Sequence, residues 1–366
     1  MAVAEVLAVG PVVSPDAAAR LIATCERFPV FTPSGTNRRR RRRARLAATV
    51  GDPDAAVNPR TPKRPPFAPG LRPREDSQLN FLRQGGLRGA TDDSLLSARH
   101  KYFRETLQDG HEVYASGAEE YLANQCLAEA AHRLFGRDLV VPWNVYANVM
   151  LPGQELGMHT DTPEFRGAHR DFLPNWLLCA MHLSGLFEPW RVRIATGITH
   201  LLGSEEGGAF LCYPDGIDHP PARYEATLNT ALVLDSDSIF HGVELVPGCD
   251  DAIGQIDANT RLVPKGKGQW FLRCGAPGQL ETVAVYSREE LRLSLSWKAY
   301  CFADEAECHA RTDSADALNT ETILEMFVDE LVVRGRLAGP DHALSEEDLG
   351  MLIIDEFIRF PEVTPT

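Results

Sequence analysis

A histidine and an aspartate that stand two positions apart in the stretch LGMHTDTPEF, His159 and Asp161, are the first candidates for chemistry. The preceding run VYANVMLPGQELGM is typical of two strands joined by a turn at Pro152-Gly153. Side chains two positions apart on a strand point to the same face, so an imidazole and a carboxylate at this spacing can bind one ion together. The pair is therefore a candidate for part of a metal site.

The spacing alone is a weak signal, because a chain with 11 histidines and 51 acidic residues should contain about one such triplet by chance. A second triplet does occur, His169-Arg170-Asp171. It lies in the polar stretch FRGAHRDF with no strand before it, so the sequence predicts no common face for its side chains. We expect the second triplet to bind no metal.

A third metal ligand is predicted at His241, in the stretch LVLDSDSIFHGVELVPG. The pattern is that of a strand, a short polar turn and a second strand that begins with the histidine. Two histidines and one carboxylate leave coordination positions open, as in non-haem Fe(II) sites that bind a cosubstrate and dioxygen, whereas a structural metal is fully ligated. The alternative is that His241 is an ordinary buried histidine and that His159 caps a loop, so that the two residues bind no common ion.

The stretch RLSLSWKAYCF, residues 292–302, alternates polar and apolar residues over most of its length. On a strand, this alternation places Arg292, Ser294, Ser296 and Lys298 on one face and the apolar residues between them on the other. An arginine with a hydroxyl two residues on offers several donors to a carboxylate, and a buried arginine needs an anionic partner. The alternative is a solvent-facing strand that carries a surface arginine and lysine.

The first part of the chain is predicted to contain one strand and several helices. EVLAVGPVV, residues 5–13, is typical of a short strand, and Ser14 is the predicted cap of a helix that ends near Phe28. Helical spacing of apolar residues predicts further helices over residues 93–108 and 117–135. These helices must pack on another element to bury their apolar sides.

The pattern changes between residues 138 and 302 to short β-branched or alternating runs, among them DLVVPWNVYANVML, LLCAMHLSG and TVAVYS. Many short strands with frequent turns favour a sandwich or barrel over alternating strands and helices. Helices return near residues 320–334 and after Ser345, which forms a predicted capping box with Asp348. We therefore expect an α+β protein with a β core and flanking α-helices.

The order of these motifs resembles the Fe(II)/2-oxoglutarate-dependent dioxygenases, which have a double-stranded β-helix (jelly-roll) core. The resemblance lies in the His-x-Asp triplet, the GGAFLCYP strand that begins at Gly207, the histidine of HGVELVPG, and Arg292-x-Ser294. VVSPDAAARLIATCERF near the start is also similar to the strand and helix that precede the core in prolyl-hydroxylase-like members. The similarity covers residues 138–302 well and the two ends loosely.

The resemblance implies a set of roles for the candidate residues. His159, Asp161 and His241 would bind Fe(II), and Arg292 and Ser294 would bind the distal carboxylate of the cosubstrate 2-oxoglutarate, with dioxygen as the second cosubstrate. The usual reaction of the family is hydroxylation, with desaturation or cyclisation as variants. The carboxylate ligand argues against halogenation, because halogenating relatives lack it.

Two further residues are implied as contacts of 2-oxoglutarate. Asn148 resembles the asparagine of an Asn-x-Tyr pair in nucleic-acid demethylases of the AlkB type, but the tyrosine position of that pair is Met150 here. Tyr146 or Asn144, at nearby strand positions, could take the place of the missing tyrosine.

The position of the arginine departs from the family, in which it usually follows the second histidine by one strand and a turn. A long segment separates His241 from Arg292, and we interpret residues 249–290 as an inserted hairpin with loops beside the mouth of the site. Arg261 or Arg273, within that segment, could then be the true partner of the carboxylate.

The chain is accordingly divided into three regions. Residues 1–137 are an N-terminal strand and helical region, with an Arg/Pro-rich segment, that packs on the core. Residues 138–302 are the jelly-roll catalytic core with its insertion, and residues 303–366 are a C-terminal helical extension.

The composition fits a globular enzyme of small molecules. The chain has 366 residues, 44% of them hydrophobic, and a net charge of −14, which argues against broad affinity for nucleic acids or membrane surfaces. Eight cysteines without a CxxC pair, and a start that lacks the pattern of a signal peptide, indicate a cytoplasmic protein.

The exception to the acidic balance is a run of six arginines, Arg38–Arg43, in a proline-rich segment. Such a run can bind phosphate backbones, so an AlkB-like nucleic-acid demethylase is one alternative function. We interpret the run as a solvated or self-paired segment, because it contains no interleaved aromatic residues and the protein is acidic overall.

We therefore predict a non-haem Fe(II)/2-oxoglutarate-dependent oxygenase that hydroxylates, desaturates or cyclises a small molecule, such as an amino acid or a natural-product intermediate. Several residues after the first triplet could line its substrate pocket, namely Arg170, Trp176, Trp190, Arg191 and Arg193. A non-catalytic jelly-roll protein that binds a metal or ligand, and a metal enzyme that does not use 2-oxoglutarate, are two competing functions.

Overall fold

The computed structural model describes residues 5–34, 100–171, 173–203, 207–248, 251–339 and 344–359. The arginine run Arg38–Arg43 and the first part of the helix predicted over residues 93–108 lie outside these ranges. The described residues combine α-helices with large antiparallel β-sheets, as expected for an α+β protein.

The strands and helices are numbered in chain order. The strands are β1 (Val6–Val9), β2 (Thr32–Pro33), β3 (Phe103–Asp109), β4 (Glu112–Val113), β5 (Leu139–Met150), β6 (Leu156–His159), β7 (Glu164–Phe165), β8 (Arg191–Leu202), β9 (Phe210–Cys212), β10 (Ala222–Tyr224), β11 (Ala231–Leu234), β12 (His241–Val243), β13 (Arg261–Pro264), β14 (Gln269–Cys274), β15 (Glu281–Ser287) and β16 (Arg292–Phe302). The α-helices are α1 (Pro15–Arg27), α2 (Ala118–Leu122), α3 (Gln125–Phe135), α4 (Asn175–Ser184), α5 (Glu305–Ala310), α6 (Thr320–Val333) and α7 (Glu346–Phe357).

The strands form a large sheet and two smaller ones. The large sheet has nine strands, in the order β1-β11-β8-β16-β5-β3-β2 along its main path, with β4 paired to β3 and β7 to β8. A four-stranded sheet has the order β10-β9-β12-β6, and a three-stranded sheet has the order β13-β14-β15. The strand pairs are antiparallel, which agrees with the predicted preference for turns over strand-helix-strand units.

Strand β16 lies inside the large sheet between β5 and β8, and its two faces have different surroundings. Leu293, Leu295 and Trp297 are fully buried in an apolar cluster that includes residues of α2 and α3. The Trp297 indole N–H donates to the Leu122 carbonyl at 2.8 Å and ties the strand to the end of α2. The alternate polar residues, beginning with Arg292, lie on the opposite face, as the sequence pattern predicts.

The predicted helix starts and ends of the N-terminal region are largely confirmed. Ser14 caps α1 by accepting from the N–H of Ala17, and α1 ends directly before Phe28. The helix predicted over residues 117–135 is divided into α2 and α3, because the Asn124 side chain accepts from a main-chain N–H of α3 and begins a new helix there. Gly136, at φ 60°, ends α3 in the left-handed conformation.

Two predictions of secondary structure are wrong. The helix predicted over residues 93–108 is contradicted by β3, in which Phe103, Glu105 and Leu107 are buried with the period of a strand that pairs with β5. The strand predicted for LLCAMHLSG is the helix α4, which is buried on nearly all sides and therefore has no apolar stripe to indicate its period. Pro174 and Gly185 bound this helix at its two ends.

The segment interpreted as an inserted hairpin contains the three strands β13, β14 and β15. Leu262, Trp270 and Leu272 are fully buried there and belong to the same apolar cluster as Phe31. Phe31 also forms a backbone bridge with Leu262. This small sheet therefore packs with the N-terminal region.

A second apolar cluster joins α4 to the C-terminal helices α6 and α7, with Leu177, Phe327 and Ile353 completely buried. Strand β7 contributes Phe165 to the same cluster. Its other residue, Glu164, accepts from Nε of Arg311, just after α5, at 2.7 Å. Within the described ranges, no helix has the length and apolar character that crossing a bilayer requires.

Candidate metal centre

The three predicted metal ligands lie together. His159 ends β6, Asp161 follows after one residue, and His241 begins β12. The two histidines are partners in register across these neighbouring strands, and their ring centroids are 4.5 Å apart. One ligand atom from each of the three side chains lies within 4.8 Å of the other two. A single ion can therefore contact all three residues.

Each imidazole is oriented by a hydrogen bond to the main chain. Nδ1 of His159 donates to the Gly157 carbonyl at 2.8 Å, and Nδ1 of His241 donates to the Ile239 carbonyl at 2.8 Å. Because a carbonyl only accepts, both rings carry a proton on Nδ1 and present Nε2 as the metal-binding atom. Phe210 stacks on the His241 ring at 5.5 Å between centroids, which restricts rotation of that ring.

Asp161 is held through both its main chain and its side chain. Its N–H donates to the Ser236 carbonyl at 2.8 Å, and its Oδ2 accepts from Ser236 Oγ at 2.8 Å and from Lys298 Nζ at 2.6 Å. Burial raises the pKa of Asp161, but the Lys298 ammonium and the two neighbouring imidazoles outweigh burial and hold the pKa well below its usual range. Asp161 is therefore a carboxylate at neutral pH.

The donor set fits a first-row divalent metal with open coordination positions. Two imidazole nitrogens and one carboxylate oxygen are too few to enclose an ion, in contrast to a structural zinc site. No other group of metal-binding side chains is found in the part of the chain that the structure describes. In the second triplet, His169 lies 3.4 Å from Glu164 and 3.3 Å from Asp171.

Arg292 is buried at the start of β16 without a carboxylate partner among the described residues. Only 3% of it is exposed, its Nε donates to the Gly208 carbonyl at 2.7 Å, and its Nη1 lies 3.9 Å from Met150 Sδ. Its Nη2 has no hydrogen-bond partner in the same ranges, and burial lowers the pKa of the guanidinium to about 10. A buried guanidinium whose Nη2 has no partner among the described residues requires an anion that those residues do not supply.

The other predicted cosubstrate residues lie on the same face of the large sheet. Ser294 on β16 is directly opposite Asn148 on β5, and Ser296 is opposite Tyr146. The Asn148 side chain donates to Ser296 Oγ at 2.9 Å and accepts from Arg104 Nε at 2.9 Å. The polar groups of Asn148 are therefore engaged within the protein.

Tyr146 lies under the guanidinium of Arg104, whose Cζ is 4.0 Å from the ring centroid. Burial raises the pKa of Tyr146, but the positive charges of Arg104 and Lys298 outweigh burial, so the pKa lies below its ordinary value. The sequence pattern did not indicate Arg104, because it falls where a helix was predicted.

The two alternative arginines lie in the three-stranded sheet, where they are paired opposite each other on β13 and β14. Arg261 donates to the carbonyls of Ala258 and Thr260, and Arg273 donates to the carbonyl of Leu280. Both guanidinium groups thus donate hydrogen bonds to main-chain carbonyls close to their own strands. Of these three arginines, Arg292 is the one that shares a sheet face with the residues around the candidate metal ligands.

His200 was not identified from the sequence, although it lies beside the predicted cosubstrate residues. It is the register partner of Ser294 on β8, it is 1% exposed, and neither ring nitrogen has a hydrogen-bond partner among the described residues. Burial, followed by the charge of Arg292, lowers the pKa of His200 to about 3, so the ring is neutral. The signal in the sequence is the run RVRIATGITHLL, whose β-branched residues are typical of a strand.

Asp237 is a second functional candidate that was missed. It lies in the polar turn LDSDS between β11 and β12, and both of its carboxylate oxygens are buried without a hydrogen-bond partner in the described residues. Burial raises the pKa of Asp237 to about 7. Two aspartates between two apolar strands are the signal in the sequence.

The residues predicted to line a substrate pocket have other contacts. Arg191 is buried and donates to both carboxylate oxygens of Asp235 at 2.7 Å, and Arg193 forms an ion pair with Glu188. Trp176 is buried in α4. The charges of Arg191 and Arg193 are therefore balanced within the protein. Neither arginine needs a substrate carboxylate as its partner.

Comparison with known proteins finds similarity in solved structures. No protein-family model and no curated protein sequence matches the chain. Similar solved structures include a prolyl-4-hydroxylase from Pseudomonas putida, at 13% identity over 82% of this chain and 94% of the other, with a TM-score of 0.36. They also include HygX from Streptomyces hygroscopicus with nickel and 2-oxoglutarate bound, at 9% identity over 82% and 84%, with a TM-score of 0.36.

A third similar structure is an oxidoreductase of the 2OG-Fe(II) oxygenase family from Burkholderia pseudomallei. It is 14% identical over 55% of this chain and 67% of the other, with a TM-score of 0.31.

Proposed function

We propose that this protein is a non-haem Fe(II)/2-oxoglutarate-dependent oxygenase with a double-stranded β-helix core. The observation that carries the proposal is the position of the three-ligand group His159, Asp161 and His241 beside a sheet face on which Arg292 is buried without an anionic partner among the described residues. The first feature binds a metal with open positions, and the second requires a carboxylate.

The double-stranded β-helix is supported by contacts between the large sheet and the four-stranded sheet. Lys298 of β16 reaches Asp161, which follows β6, and Arg292 reaches the Gly208 carbonyl just before β9. Met150 of β5 belongs to an apolar cluster with residues of β9 and β12. Two antiparallel sheets that face each other in this way enclose the proposed site between them.

The metal-binding residues have the protonation states that the proposal needs. His159 and His241 are held with Nε2 available for a metal, and Asp161 is ionised. When Fe(II) and 2-oxoglutarate are bound, they supply the oxidising chemistry, whereas the protein supplies binding and orientation.

The cosubstrate-binding residues lie on β16. Arg292 would donate through Nη2 to the distal carboxylate of 2-oxoglutarate, and the hydroxyl of Ser294, two residues on, would donate to the same group. Burial makes this interaction strong, because water does not compete for the guanidinium. Asn148 and Tyr146 would support the site from β5 rather than depend on the cosubstrate for their hydrogen bonds.

The proposed reaction is hydroxylation of a small molecule such as an amino acid or a natural-product intermediate, with desaturation or cyclisation as variants of the same chemistry. The acidic balance of the chain, at a net charge of −14, supports a small molecule over a nucleic acid. The AlkB-like alternative would need the tyrosine that is Met150 here, and Met150 Sδ lies next to Arg292.

Calorimetric titration of 2-oxoglutarate into the oxygen-free, Fe(II)-loaded protein tests the proposal. We expect one binding event, and we expect Arg292→Ala to weaken it by about 10- to 100-fold because a charge-assisted pair is lost. Arg273→Ala, which removes an arginine from the three-stranded sheet, is the matched control and should leave the affinity unchanged. No binding to the wild-type protein, or equal losses in the two variants, would exclude the proposed role of Arg292.

The two competing functions predict different products. A non-catalytic binding protein forms no succinate from 2-oxoglutarate under any condition. A metal enzyme that does not use 2-oxoglutarate turns over its substrate at the same rate after Arg292→Ala.

A further inference from the structure

Lys298 places a buried positive charge directly against one of the candidate metal ligands. It lies on β16, on the same face as Arg292, and its Nζ is 2.6 Å from Asp161 Oδ2 and 3.3 Å from Ser236 Oγ. The side chain is only 12% exposed. The sequence pattern placed this lysine on the correct face, but no role followed from the pattern.

We propose that Lys298, together with Ser236, is a positioning residue that occupies one oxygen of Asp161 and thereby presents the other oxygen to the metal. This inference rests on the proposed metal centre and deepens it. Lys298 itself would not contact the metal or the cosubstrate.

The side-chain hydrogen bonds that Asp161 accepts from the described residues all go to one of its two carboxylate oxygens. Both the Lys298 ammonium and the Ser236 hydroxyl donate to Oδ2, whereas no hydrogen bond from the described residues engages Oδ1. An oxygen that accepts two strong hydrogen bonds, one of them charge-assisted, is a poor candidate for a metal bond as well. Asp161 would therefore bind through Oδ1 alone and leave three positions open on a six-coordinate metal.

The buried surroundings of Lys298 require an acidic partner for its ammonium group. A buried ammonium is costly unless an anion compensates it, and Asp161 is the acidic group at hydrogen-bond distance. The lysine is therefore charged, and the pair is only weakly screened by salt.

Ser236 fixes the geometry from the other side. Its hydroxyl lies 2.6 Å from Thr196 Oγ1 on β8, and its main-chain carbonyl accepts from the N–H of Asp161. Thr196 is in turn the register partner of Lys298 across β8 and β16. The carboxylate of Asp161 is thus held by Lys298 of β16 and by Ser236, which Thr196 links to β8. The two histidines belong to the four-stranded sheet.

A purely structural role for Lys298 is the competing explanation, because the ion pair also links the two sheets. The two roles differ in one respect. A structural link affects the stability of the fold, whereas a positioning residue also affects the ligand field of a metal that is already bound.

Cobalt(II) is a suitable probe, because its visible absorption depends on coordination number and ligand geometry. The experiment titrates Co(II) alone into the full-length wild-type protein and into Lys298→Met, Lys298→Arg and Ser236→Ala. Lys265→Met, which changes an exposed lysine next to β13, is the matched control. Circular dichroism and thermal unfolding of each variant report the state of the fold.

We expect Lys298→Met to weaken Co(II) binding by about 10- to 100-fold and to change the visible spectrum at saturation. Lys298→Arg should restore most of the affinity and the wild-type spectrum, Ser236→Ala should have an intermediate effect, and Lys265→Met should have none. A wild-type spectrum and affinity in Lys298→Met would overturn the inference. If Lys298→Met does not fold, a wild-type spectrum and affinity in Ser236→Ala would overturn it.

The same titration separates this inference from the proposed function. Because Co(II) binding needs no cosubstrate, a wild-type protein that binds Co(II) but not 2-oxoglutarate would contradict the proposed oxygenase, while the Lys298 variants would still decide the role of Lys298. A wild-type protein that binds no Co(II) would overturn both.

Discussion

His159 and His241 face each other across two neighbouring antiparallel strands, with 4.5 Å between their ring centroids. Register across β6 and β12 therefore brings together two side chains that are far apart in the sequence. Main-chain hydrogen bonds orient both rings with Nε2 available. Strand register and main-chain hydrogen bonds thus position the two imidazoles.

Close approach of the backbone at Gly242 is needed for this pairing. A Cβ at Gly242 would lie 2.5 Å from the Leu156 carbonyl oxygen, so Gly242→Ala should push β12 away from β6 and displace the neighbouring His241. We expect the affinity for a divalent metal to fall on the order of 10-fold. Gly339→Ala, where a Cβ meets nothing within 4 Å, is the control. Equal metal affinities in the two variants would show that β12 can shift without affecting the site.

Two buried arginines should differ in their contribution to stability. Arg191→Met removes the partner of the buried Asp235 and should destabilise the protein by about 3–5 kcal/mol. Arg292→Met removes a buried charge that has no carboxylate partner in the described ranges, so we expect little loss, or a gain, in the absence of ligands. Urea unfolding of the ligand-free variants measures the difference. A large loss in Arg292→Met would mean that the protein itself compensates this charge.

The stability of the metal-free protein should depend on pH through Asp237. The folded-state pKa of Asp237 is about 7, above its ordinary value of 3.8, so the folded state binds more protons than the unfolded state between these values. The contribution of Asp237 is therefore fully present at low pH and is lost as the pH rises through about 7. At pH values above about 7 we expect Asp237→Asn to be more stable than the wild type by about 1–3 kcal/mol.

The measurement for Asp237 is unfolding of both proteins in a chelator across this pH range. The neutral, buried His182 and His200, whose pKa values are lowered to about 3, contribute the opposite dependence, since their contribution is lost as the pH falls below 6.5. Because both proteins retain these histidines, their effect cancels in the comparison. A constant difference between the two proteins at all pH values would contradict a raised pKa for Asp237.

A comparison of Trp297 with Trp270 allows the contribution of a single hydrogen bond to be measured. Both are fully buried, but only Trp297 donates to a carbonyl, that of Leu122, while the indole nitrogen of Trp270 has no partner among the described residues. We expect Trp297→Phe to cost about 1–3 kcal/mol more than Trp270→Phe, because it leaves a buried carbonyl unpaired. Thermal and urea unfolding provide the two values, and equal values would mean that this hydrogen bond adds no net stability.

Local patterns account for the parts of the fold and site that the sequence predicted. The alternation of β16 requires only a period of two, and the cap at Ser14 requires only neighbouring residues, so both are visible in a short window. The three candidate metal ligands could be chosen from the sequence because two of them are close together and the third begins a strand after a polar turn.

The missed elements depend on tertiary contacts. The helix α4 is surrounded by other apolar residues and has no polar side, and β3 is a strand because it pairs with β5. The relation of Lys298 to Asp161 also could not be predicted, because it joins different sheets. A sequence pattern assigns a face to such a residue but does not identify its partner.

The proposed function requires that His159, Asp161 and His241 bind one Fe(II) ion with open positions. Anaerobic titration of Fe(II) in the presence of 2-oxoglutarate tests this requirement, because an iron–keto acid chelate has a visible charge-transfer absorption. We expect this absorption to reach saturation at one Fe(II) per chain, to be lost in His241→Ala, and to persist in His169→Ala, which alters the second triplet. Persistence of the absorption in His241→Ala, or its absence from the wild-type protein, would contradict the proposed function.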